Sequence, residues 1–397
     1  MSFEQLGPVF MPGDGVIGDG GGFKESAEEV TARGLKSFDR IVARANETNG
    51  EWAPTNRPDY FADAEQLRML SRRERRAVYP RLAMIVASES AVDHLMLGIL
   101  PAAANAGMAP DLLDAIRTQA VEEAIHAAKS REVLTKVVGV KPENIPQFVR
   151  KYHDPITKRA FEQFEEYING LLESGTKEDI YLALFVYCRV CEYGVAQADV
   201  DLMRQSNRYE KMVVSRPSLG RIALERLGNK FTRLGERLPP KEDKTIELRG
   251  INQGQKIVRK DEGRHTQIGL LSTQRYLEEF PDSAPERIKQ AMDYFLSTID
   301  VVVKSVRARL GIAEKFLREG YGQEIGAVEY LDRNMARQIV GLKALGLDEA
   351  VELVRERHME WRSLFFDDHG NRIHEEPSLA MLALLEGIMA WRRFSPR

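Results

Sequence analysis

Residues 119–134 read QAVEEAIHAAKSREVL and residues 259–271 read RKDEGRHTQIGLL, and both stretches contain the spacing Glu-x-x-His within an apolar, helix-like pattern. Residues three apart on an α-helix point to the same side, so each stretch presents a carboxylate and an imidazole together. The spacing alone is weak evidence, because glutamate is common in this chain, and the surrounding sequence has to support it. The two pairs are Glu123 with His126 and Glu262 with His265.

Two further acidic residues interrupt equally apolar helical stretches. Glu89 lies in MIVASESAVDHLML, residues 84–97, and Glu192 lies in FVYCRVCEYGVAQ, residues 185–197. A buried carboxylate without a compensating charge is strongly destabilising, so acids that recur on the apolar faces of successive helices require a cation. Four carboxylates and two imidazoles from four helices are the ligand set of a dinuclear metal site inside a four-helix bundle. The alternative is compensation by buried arginines, for which the candidates are Arg189, Arg259 and Arg264.

This set of ligands also restricts the metal and its chemistry. Carboxylates with one imidazole per metal suit iron or manganese and leave coordination positions open for O2. Two metals that share bridging carboxylates lie ~3.5–4 Å apart, close enough to bind both atoms of dioxygen. Asp261 directly precedes Glu262, and a carboxylate there can accept the free N–H of a ligand imidazole and orient the ring. The alternative for Asp261 is a helix cap or an ion pair with an arginine.

The composition indicates a globular protein. The chain has 397 residues, of which 43% are hydrophobic and 29% are charged, and its net charge of −3 gives no general preference for nucleic acid or membranes. No signal peptide is recognisable, and no apolar run is long enough for a membrane span, so a cytoplasmic protein is expected. Cys188 and Cys191 lie three apart on one predicted helix, where a disulfide is not expected.

The helical pattern predicts an all-α chain with an N-terminal arm and irregular segment over residues 1–60, a metal-binding bundle over 61–280 and a helical extension over 281–397. Within the bundle, residues 204–260 contain 15 Lys and Arg against 6 Asp and Glu. This basic segment is either a solvated face or a docking surface for an acidic partner, and its few aromatic residues disfavour nucleic acid. Helices are predicted over 62–77, 79–101, 111–137, 156–174, 177–206, 217–236, 250–279, 284–318, 323–345, 347–366 and 377–392.

The order of the candidate ligands resembles that of the ribonucleotide reductase small-subunit superfamily, which has the ferritin-like fold. Within that superfamily, the sequence is most similar to the ligand-binding oxidases that assemble a mixed manganese/iron cofactor. The resemblance covers about residues 80–280 and implies a ferritin-like four-helix bundle core with additional helices. It rests on Glu89, Glu123-x-x-His126, Glu192 and Asp261-Glu262-x-x-His265.

Two more positions support the resemblance. Members of the family have a valine three residues after the first glutamate and a tyrosine five residues before the third, and here these are Val92 and Tyr187. In the family the two residues form an ether cross-link when the cofactor reacts with O2, and a fatty acid occupies the adjacent apolar channel. The alternative is that both are ordinary core residues. The residues that would shape such a channel here are Leu95, Met96, Val195 and Ile268.

The resemblance implies an O2-activating oxidase, with one manganese and one iron or with two irons, that acts on a C–H bond of a long aliphatic, fatty-acid-like ligand. It also implies a homodimer. One departure from the family is the interval of 70 residues between Glu192 and Glu262, about twice the usual one. The resemblance assigns one metal to Glu89, Glu123 and His126 and the other to Glu192, Glu262 and His265, with Glu123 and Glu262 as bridges.

Other members of the superfamily match the sequence less well. A ribonucleotide reductase small subunit has a radical-bearing tyrosine seven residues after the first Glu of its Glu-x-x-His pairs, where this chain has Ser130. The arylamine N-oxygenases have an additional histidine where this chain has Val258. A di-iron desaturase or hydroxylase that acts on a carrier-bound acyl chain is the main alternative, because the basic segment would suit an acidic carrier protein. A metal-storage bundle is the alternative from outside the enzymes.

Overall fold

The structure is a computed structural model that describes residues 37–48, 60–152, 155–196, 212–214, 244–308 and 327–366. Most of the predicted bundle lies inside these ranges. The predicted helices 217–236 and 377–392 lie outside the described residues, as do most of the N-terminal arm and most of the basic segment.

Helices form most of the described residues, which confirms the all-α prediction. Their lengths range from single short segments of two turns to α3, which has 34 residues. In chain order they are α1 (Phe38–Thr48), α2 (Tyr60–Met69), α3 (Arg72–Asn105), α4 (Pro110–Val133), α5 (Ile145–Tyr152), α6 (Pro155–Ser174), α7 (Lys177–Leu184), α8 (Arg249–Glu279), α9 (Ala284–Ala308), α10 (Ala327–Lys343) and α11 (Asp348–Ser363), with a 3-10 turn at Pro142–Asn144.

Two helical stretches have π geometry, in which hydrogen bonds join residues five apart. Leu134–Val138 extends α4, and Phe185–Ala196 extends α7. Two strands of three residues, β1 (Met212–Val214) and β2 (Lys244–Ile246), pair antiparallel within the basic segment. The sequence did not predict these strands, because three residues are too few to reveal an alternation of apolar and polar side chains.

The core is a bundle of α3, α4, α8 and α7 with its π extension. A short turn joins α3 to α4, so the two helices run antiparallel along each other. α8 packs against α4 and against the π extension of α7. A hydrophobic cluster that includes Ile99, Ile116 and Leu184 fills the space between these helices. All four elements that carry the predicted ligands therefore face one interior.

α3 runs without interruption through Pro80, so the predicted boundary between helices 62–77 and 79–101 is wrong. An interior proline removes a backbone hydrogen bond and costs about 3 kcal/mol. Val78 and Leu82 are buried on one face of α3, on either side of the proline. Burial of each aliphatic side chain contributes about 1.5–3 kcal/mol, which is enough to offset the proline. The break in the chain lies earlier, between α2 and α3.

Two capping interactions fix the start of the helices that carry ligands. The hydroxyl of Thr176 accepts a hydrogen bond from the backbone N–H of Asp179 at 3.1 Å, which caps α7. α8 is capped by another helix, because the carboxylate of Asp63 in α2 accepts the backbone N–H groups of Gly250 and Ile251 at 3.1 and 2.7 Å. The negative charge of Asp63 at a helix N-terminus is favourable, so this contact sets the axial position of α8.

The helices after residue 280 pack on the bundle. α9 contacts α6 and α7, α10 lies against the π extension of α7, and α11 packs on α9 and α10. Two helices elsewhere were not predicted, namely α1 and α5. They have 11 and 8 residues, too few turns for the apolar period to identify them reliably.

One stretch, Leu82–Asn105 of α3, is long and apolar enough to cross a membrane when judged by length and composition alone. The core helix of a soluble protein meets the same criterion. About a third (33%) of the most apolar window is buried, and the stretch includes Glu89 and the fully buried Met96.

Candidate dinuclear metal centre

The six predicted ligands meet in the interior of the bundle. Five of them are buried, and the side chain of Glu89 is 14% exposed. Their ligand atoms form two groups in which all atoms lie within 4.8 Å of one another, and the groups share one carboxylate. One group contains Glu89, Glu123 and His126, and the other contains Glu123, Glu192, Glu262 and His265.

In the first group, carboxylate oxygens surround Nδ1 of His126. This nitrogen lies 3.3 Å from Oε2 of Glu123, 3.7 Å from Oε1 of Glu262 and 3.9 Å from Oε2 of Glu89. Bonds from a metal to nitrogen or oxygen ligands are roughly 2.0–2.2 Å long. Ligand atoms separated by these distances can therefore surround one metal ion.

The second group is arranged in the same way around Nδ1 of His265. This nitrogen lies 3.1 Å from Oε1 of Glu123, 3.5 Å from Oε2 of Glu192 and 3.6 Å from Oε2 of Glu262. Glu192 comes from the π extension of α7, and the other three residues come from α4 and α8. The group thus joins three elements that are far apart in the sequence.

Two carboxylates lie between the histidines. Glu123 directs Oε2 to His126 and Oε1 to His265, whereas Glu262 directs Oε1 to His126 and Oε2 to His265. The centroids of the two imidazole rings are 6.0 Å apart. A carboxylate with one oxygen facing each ring has the geometry to bind two metal ions at once.

Several buried atoms of the site make no hydrogen bond within the described part of the chain. They are Oε2 of Glu123, Oε2 of Glu192, Oε2 of Glu262 and Nδ1 of His265. A buried acceptor without a partner costs about 1–3 kcal/mol, and more when it is charged. Unsatisfied atoms concentrated at one point are explained if they bind cations. Carboxylates together with imidazoles suit iron and manganese.

An acid from the opposite helix binds the outer nitrogen of each histidine. Oδ2 of Asp261 on α8 lies 2.9 Å from Nε2 of His126 on α4, as the sequence predicted. Oε2 of Glu122 on α4 lies 2.9 Å from Nε2 of His265 on α8. Arg264 donates to both acids and links them. Each imidazole can therefore donate its Nε2–H to an acid and present Nδ1 to the centre.

Glu122 was missed in the sequence, although a signal was present. It directly precedes Glu123 as Asp261 directly precedes Glu262, so both helices carry an acid-Glu-x-x-His pattern. The sequence left open that arginines compensate the buried acids. Arg264 binds Glu122 and Asp261, and the guanidinium group of Arg189 lies 4.1 Å from the ring centroid of Tyr193. The side chain of Arg259 lies outside the described residues.

Nearby acids raise the pKa of both histidines. Burial by itself lowers the pKa of His126, but the hydrogen bond with Asp261 and the carboxylate of Glu123 raise it well above its ordinary value of 6.5. Burial also opposes the shift at His265, where the charge of Glu123 and the hydrogen bond with Glu122 raise the pKa. A metal ion bound at Nδ1 competes with a proton at the same atom, so metal affinity should fall as the pH falls.

The carboxylates differ in pKa according to their neighbours. Burial raises the pKa of Glu89 to about 8. Burial and the charge of Glu262 raise the pKa of Glu192 well above its ordinary value of 4.5. Burial by itself raises the pKa of Glu123, but the charges of His265 and His126 lower it well below 4.5. Like charges held this close require either protons or metal ions between them.

Tyr187 lies directly beside the centre. Its hydroxyl donates a hydrogen bond of 2.7 Å to Oε1 of Glu123, and its side chain is fully buried. Burial and the charges of Glu123 and Glu192 raise its pKa well above the ordinary value of 10, so the phenol keeps its proton. Val92 is partly buried and packs against the hydrophobic cluster that also contains Tyr187.

A narrow pocket with a volume of about 20 Å³ adjoins the first group of ligands. Its lining includes Glu89 and His126, together with the apolar residues Leu82, Ile85, Val133, Ile251 and Val258. The predicted channel residues do not line it. Leu95, Met96 and Ile268 are buried in the core, and the side chain of Val195 lies outside the described residues. A channel formed by these four residues therefore stays a prediction.

Comparison with solved structures identifies the fold. A point mutant of an R2-like ligand-binding oxidase with an aerobically reconstituted Mn/Fe cofactor is 20% identical over 78% of this chain and 94% of its own, with a TM-score of 0.55. An R2-like ligand-binding oxidase with an aerobically reconstituted metal cofactor after photoconversion is 21% identical over 81% and 93%, with a TM-score of 0.53. Another point mutant with an aerobically reconstituted Mn/Fe cofactor is 22% identical over 81% and 93%, also with a TM-score of 0.53.

No family model and no curated protein sequence matches the chain. At identities of 20–22%, the structural similarities establish the fold. The chain folds as the R2-like ligand-binding oxidases do, so the ferritin-like fold predicted from the sequence is confirmed.

Proposed function

We propose that the chain is an O2-dependent oxidoreductase with a dinuclear metal centre, of one manganese and one iron or of two irons, that oxidises a C–H bond of a long aliphatic ligand. The observation that carries the proposal is the buried group of four carboxylates and two imidazoles, several of whose atoms make no hydrogen bond in the described part of the chain. The solved structures of the same fold support it, because they hold reconstituted Mn/Fe cofactors.

The assignment of ligands follows the two groups of atoms. One metal would be held by Glu89, Glu123 and His126, and the other by Glu192, Glu262 and His265, with Glu123 and Glu262 as bridges. Support for the bridges comes from their two oxygens, each of which faces a different histidine. Glu89 and Glu192 would each bind one metal only.

When bound, the metal pair would supply the electrons that reduce O2. The residues around it would prepare the site for that chemistry. Asp261 and Glu122 hold the imidazoles so that Nδ1 is the ligand atom. The buried surroundings of Glu123 and Glu192 exclude bulk water, which protects reactive species from side reactions. Tyr187 holds a proton at Glu123.

The aliphatic ligand would enter through the pocket beside Glu89 and His126. The lining of this pocket is mainly apolar, through Leu82, Ile85 and Val133, and apolar linings select aliphatic groups. A C–H bond at the inner end of the pocket would lie next to the metals.

A covalent link between Tyr187 and Val92 is part of the proposal. An ether bond from the oxygen of Tyr187 to Val92 would remove the hydroxyl hydrogen of the tyrosine and one C–H hydrogen of the valine, with O2 as the oxidant. Mass spectrometry of digested protein should then find peptides of α3 and α7 joined with the loss of two hydrogens after exposure to O2. Tyr187→Phe should give no joined peptides.

The experiment that tests the function is metal loading. Metal-free protein is given Mn(II) and Fe(II) without oxygen and is then exposed to air, and the metal content per chain is measured by elemental mass spectrometry. About one manganese and one iron per chain would support the mixed centre. Two irons without manganese would favour a di-iron desaturase or hydroxylase. Retention of neither metal would contradict the proposed function.

Matched variants locate the metals. Glu123→Ala and His126→Ala should lose one or both metals while the fold, measured by circular dichroism, is kept. His94→Ala and Glu143→Ala are suitable controls, because both residues are exposed and lie outside the site. Normal metal content in Glu123→Ala would show that the ligands are assigned wrongly.

A further inference from the structure

A second pocket, of about 140 Å³, lies between α2, the first two turns of α3 and the π turn that follows α4. It is separate from the metal centre, since Arg75 precedes Glu89 by 14 residues on α3, which is about 21 Å at 1.5 Å per residue. Its walls contain three cationic side chains, Arg68, Arg75 and Lys136, and three aliphatic ones, Leu67, Val137 and Val138. Tyr79 and Gly139 complete the lining.

The positive charge of this pocket is only partly compensated. Nε of Arg75 is buried and donates no hydrogen bond within the described part of the chain. Arg68, which is exposed on α2, forms no ion pair with any described carboxylate. Lys136 pairs with Glu132, but the same carboxylate also binds Lys129 at 2.9 Å. An excess of positive charge therefore faces the pocket.

The position of the pocket on α3 also favours an anion. It lies at the N-terminus of α3, a helix of 34 residues, and the helix dipole adds positive potential there.

We propose that this pocket binds the phosphate group of a small organic phosphate ester. A phosphate monoester has three acceptor oxygens and about two negative charges, against two oxygens and one charge for a carboxylate, so it matches two guanidinium groups and an ammonium group better. Planar guanidinium groups such as those of Arg68 and Arg75 bind phosphate oxygens in pairs. The aliphatic wall formed by Leu67, Val137 and Val138 would contact the organic part of the ester.

Calorimetric titration of the full chain, without metals and at low ionic strength, tests the chemistry of the ligand. The probes are hexyl phosphate, inorganic phosphate and hexanol. Hexyl phosphate should bind at least about tenfold more tightly than either of the others, because it alone uses both kinds of wall. Equal affinity of inorganic phosphate would overturn the role of the aliphatic wall, and equal affinity of hexanol would overturn the anion site.

Variants then test the residues. Arg75→Gln and Arg68→Gln should each weaken the binding of hexyl phosphate about tenfold or more, through loss of a charged hydrogen-bond donor. Arg117→Gln is the matched control, since Arg117 is exposed and pairs with Asp114 on α4. If Arg75→Gln fails to fold, the affinity of Arg68→Gln for hexyl phosphate provides the test, because Arg68 is exposed. Unchanged affinity in Arg68→Gln would overturn the proposal. Because no metal is needed, this outcome is independent of the proposed oxidase function.

Discussion

The two histidines at the metal centre are oriented by acids from each other's helix. Asp261 on α8 binds His126 on α4, and Glu122 on α4 binds His265 on α8, both at 2.9 Å. A carboxylate that accepts the outer N–H of a ligand imidazole fixes the ring and raises its basicity. These two hydrogen bonds also join α4 to α8, so that ligand orientation and helix packing depend on the same residues.

Asp261→Asn should therefore weaken metal binding without unfolding the protein. Loss of a carboxylate that supports a ligand histidine typically costs about 10–100-fold in metal affinity. The measurement is competition for Mn(II) with a chelator, alongside thermal unfolding. Asp114→Asn serves as the control, because Asp114 is exposed and pairs only with Arg117 among the described residues. Equal affinity of wild type and Asp261→Asn would show that the ring needs no such support.

A second acid joins α4 to α8 at a distance from the metal site. Asp111, in the first turn of α4, accepts hydrogen bonds of 2.9 and 2.7 Å from Arg275 on α8. This interaction lowers the pKa of Asp111 below its ordinary value of 3.8. An acid whose pKa is lower in the folded state contributes stability above its unfolded pKa, and this stability disappears as the pH falls through the folded pKa.

Asp111→Asn should accordingly be less stable than wild type near neutral pH, and the difference should shrink below pH 3.8. Both side chains are partly exposed, so the effect should be modest. Thermal unfolding over a series of pH values measures it. A difference between the two proteins that is independent of pH would mean that the ion pair does not act through its charge.

At the scale of the elements, the π extension of α7 places two site residues on one side. Tyr187 and Glu192 are five residues apart, and in a helix with i→i+5 hydrogen bonds such residues lie nearly above one another. In an α-helix they would diverge by more than a third of a turn. The π geometry therefore directs both side chains to the metal centre. Cys188 and Cys191 of the same segment are free thiols, as predicted.

α10 supports this π segment. The side-chain amide of Gln338 donates a hydrogen bond of 3.0 Å to the backbone carbonyl of Val190. The approach is possible because residue 194 is glycine, where a Cβ atom would lie 1.7 Å from Nε2 of Gln338. On the other helix, a Cβ atom at Gly341 would lie 2.1 Å from Nη2 of Arg189. Two glycines thus allow α10 and the π segment to pack closely.

Gln338→Leu should loosen the π segment while the rest of the bundle is kept. The variant retains the volume of the side chain but leaves a buried carbonyl with one donor fewer, which costs about 1–3 kcal/mol locally. Hydrogen exchange measured by mass spectrometry should be faster in peptides covering residues 185–196 and unchanged in α9. Gln290→Leu is the control, since Gln290 bonds to Glu286 on the surface of α9. If hydrogen exchange changed equally in all peptides of both variants, a local role of Gln338 would be contradicted.

Substitution by alanine should have opposite effects on stability at two glycines of α8. At Gly269 a Cβ atom would lie 2.5 Å from Cβ of Cys188 and 3.1 Å from its backbone carbon, so Gly269→Ala should destabilise the protein by about 1–3 kcal/mol. Gly263 is exposed with no neighbouring atom within 4 Å, so Gly263→Ala should stabilise the helix by about 0.8–1.0 kcal/mol. Denaturant unfolding measures the free energy of unfolding of both variants. A change of the same sign in both would contradict the packing of α8 on the π segment.

At the scale of the whole molecule, the metal centre sits where helices from both ends of the described chain meet. α10, from the C-terminal extension, braces the segment that carries Glu192, and α2 caps the helix that carries Glu262 and His265. Buried acids at the meeting point repel one another in the absence of a cation. Metal binding should therefore stabilise the entire bundle.

Unfolding temperature should accordingly rise with the concentration of Mn(II) or Fe(II) under anaerobic conditions. A ligand that binds only the folded state stabilises it by about 2.7 kcal/mol at a free concentration of 100 times its Kd. Differential scanning calorimetry measures the shift, and Glu123→Ala is the control that should show little of it. If neither ion changes the unfolding temperature of the wild type, the buried acids are not a metal site.

The sequence alone predicted the residues of the centre because their anomaly is local. Glu89 and Glu192 each interrupt a single apolar stretch, and burial makes such acids conspicuous. The pairing of Glu122 with His265 was missed, because an apolar face identifies which residues point inward but not which residues they meet. The pocket of Arg68, Arg75 and Lys136 was missed for the same reason, since it joins α2, α3 and the turn after α4.

The all-α class, most of the long helices and the six acids and histidines that meet in the bundle could be predicted from the amino-acid sequence. Helical periodicity and the cost of a buried charge both act within one stretch of chain, so a single stretch reveals them. The continuity of α3 through Pro80, the π geometry of residues 185–196 and the acids that α4 and α8 provide for each other's histidines became visible in the folded protein. These depend on contacts between distant segments, whose packing outweighs local preference.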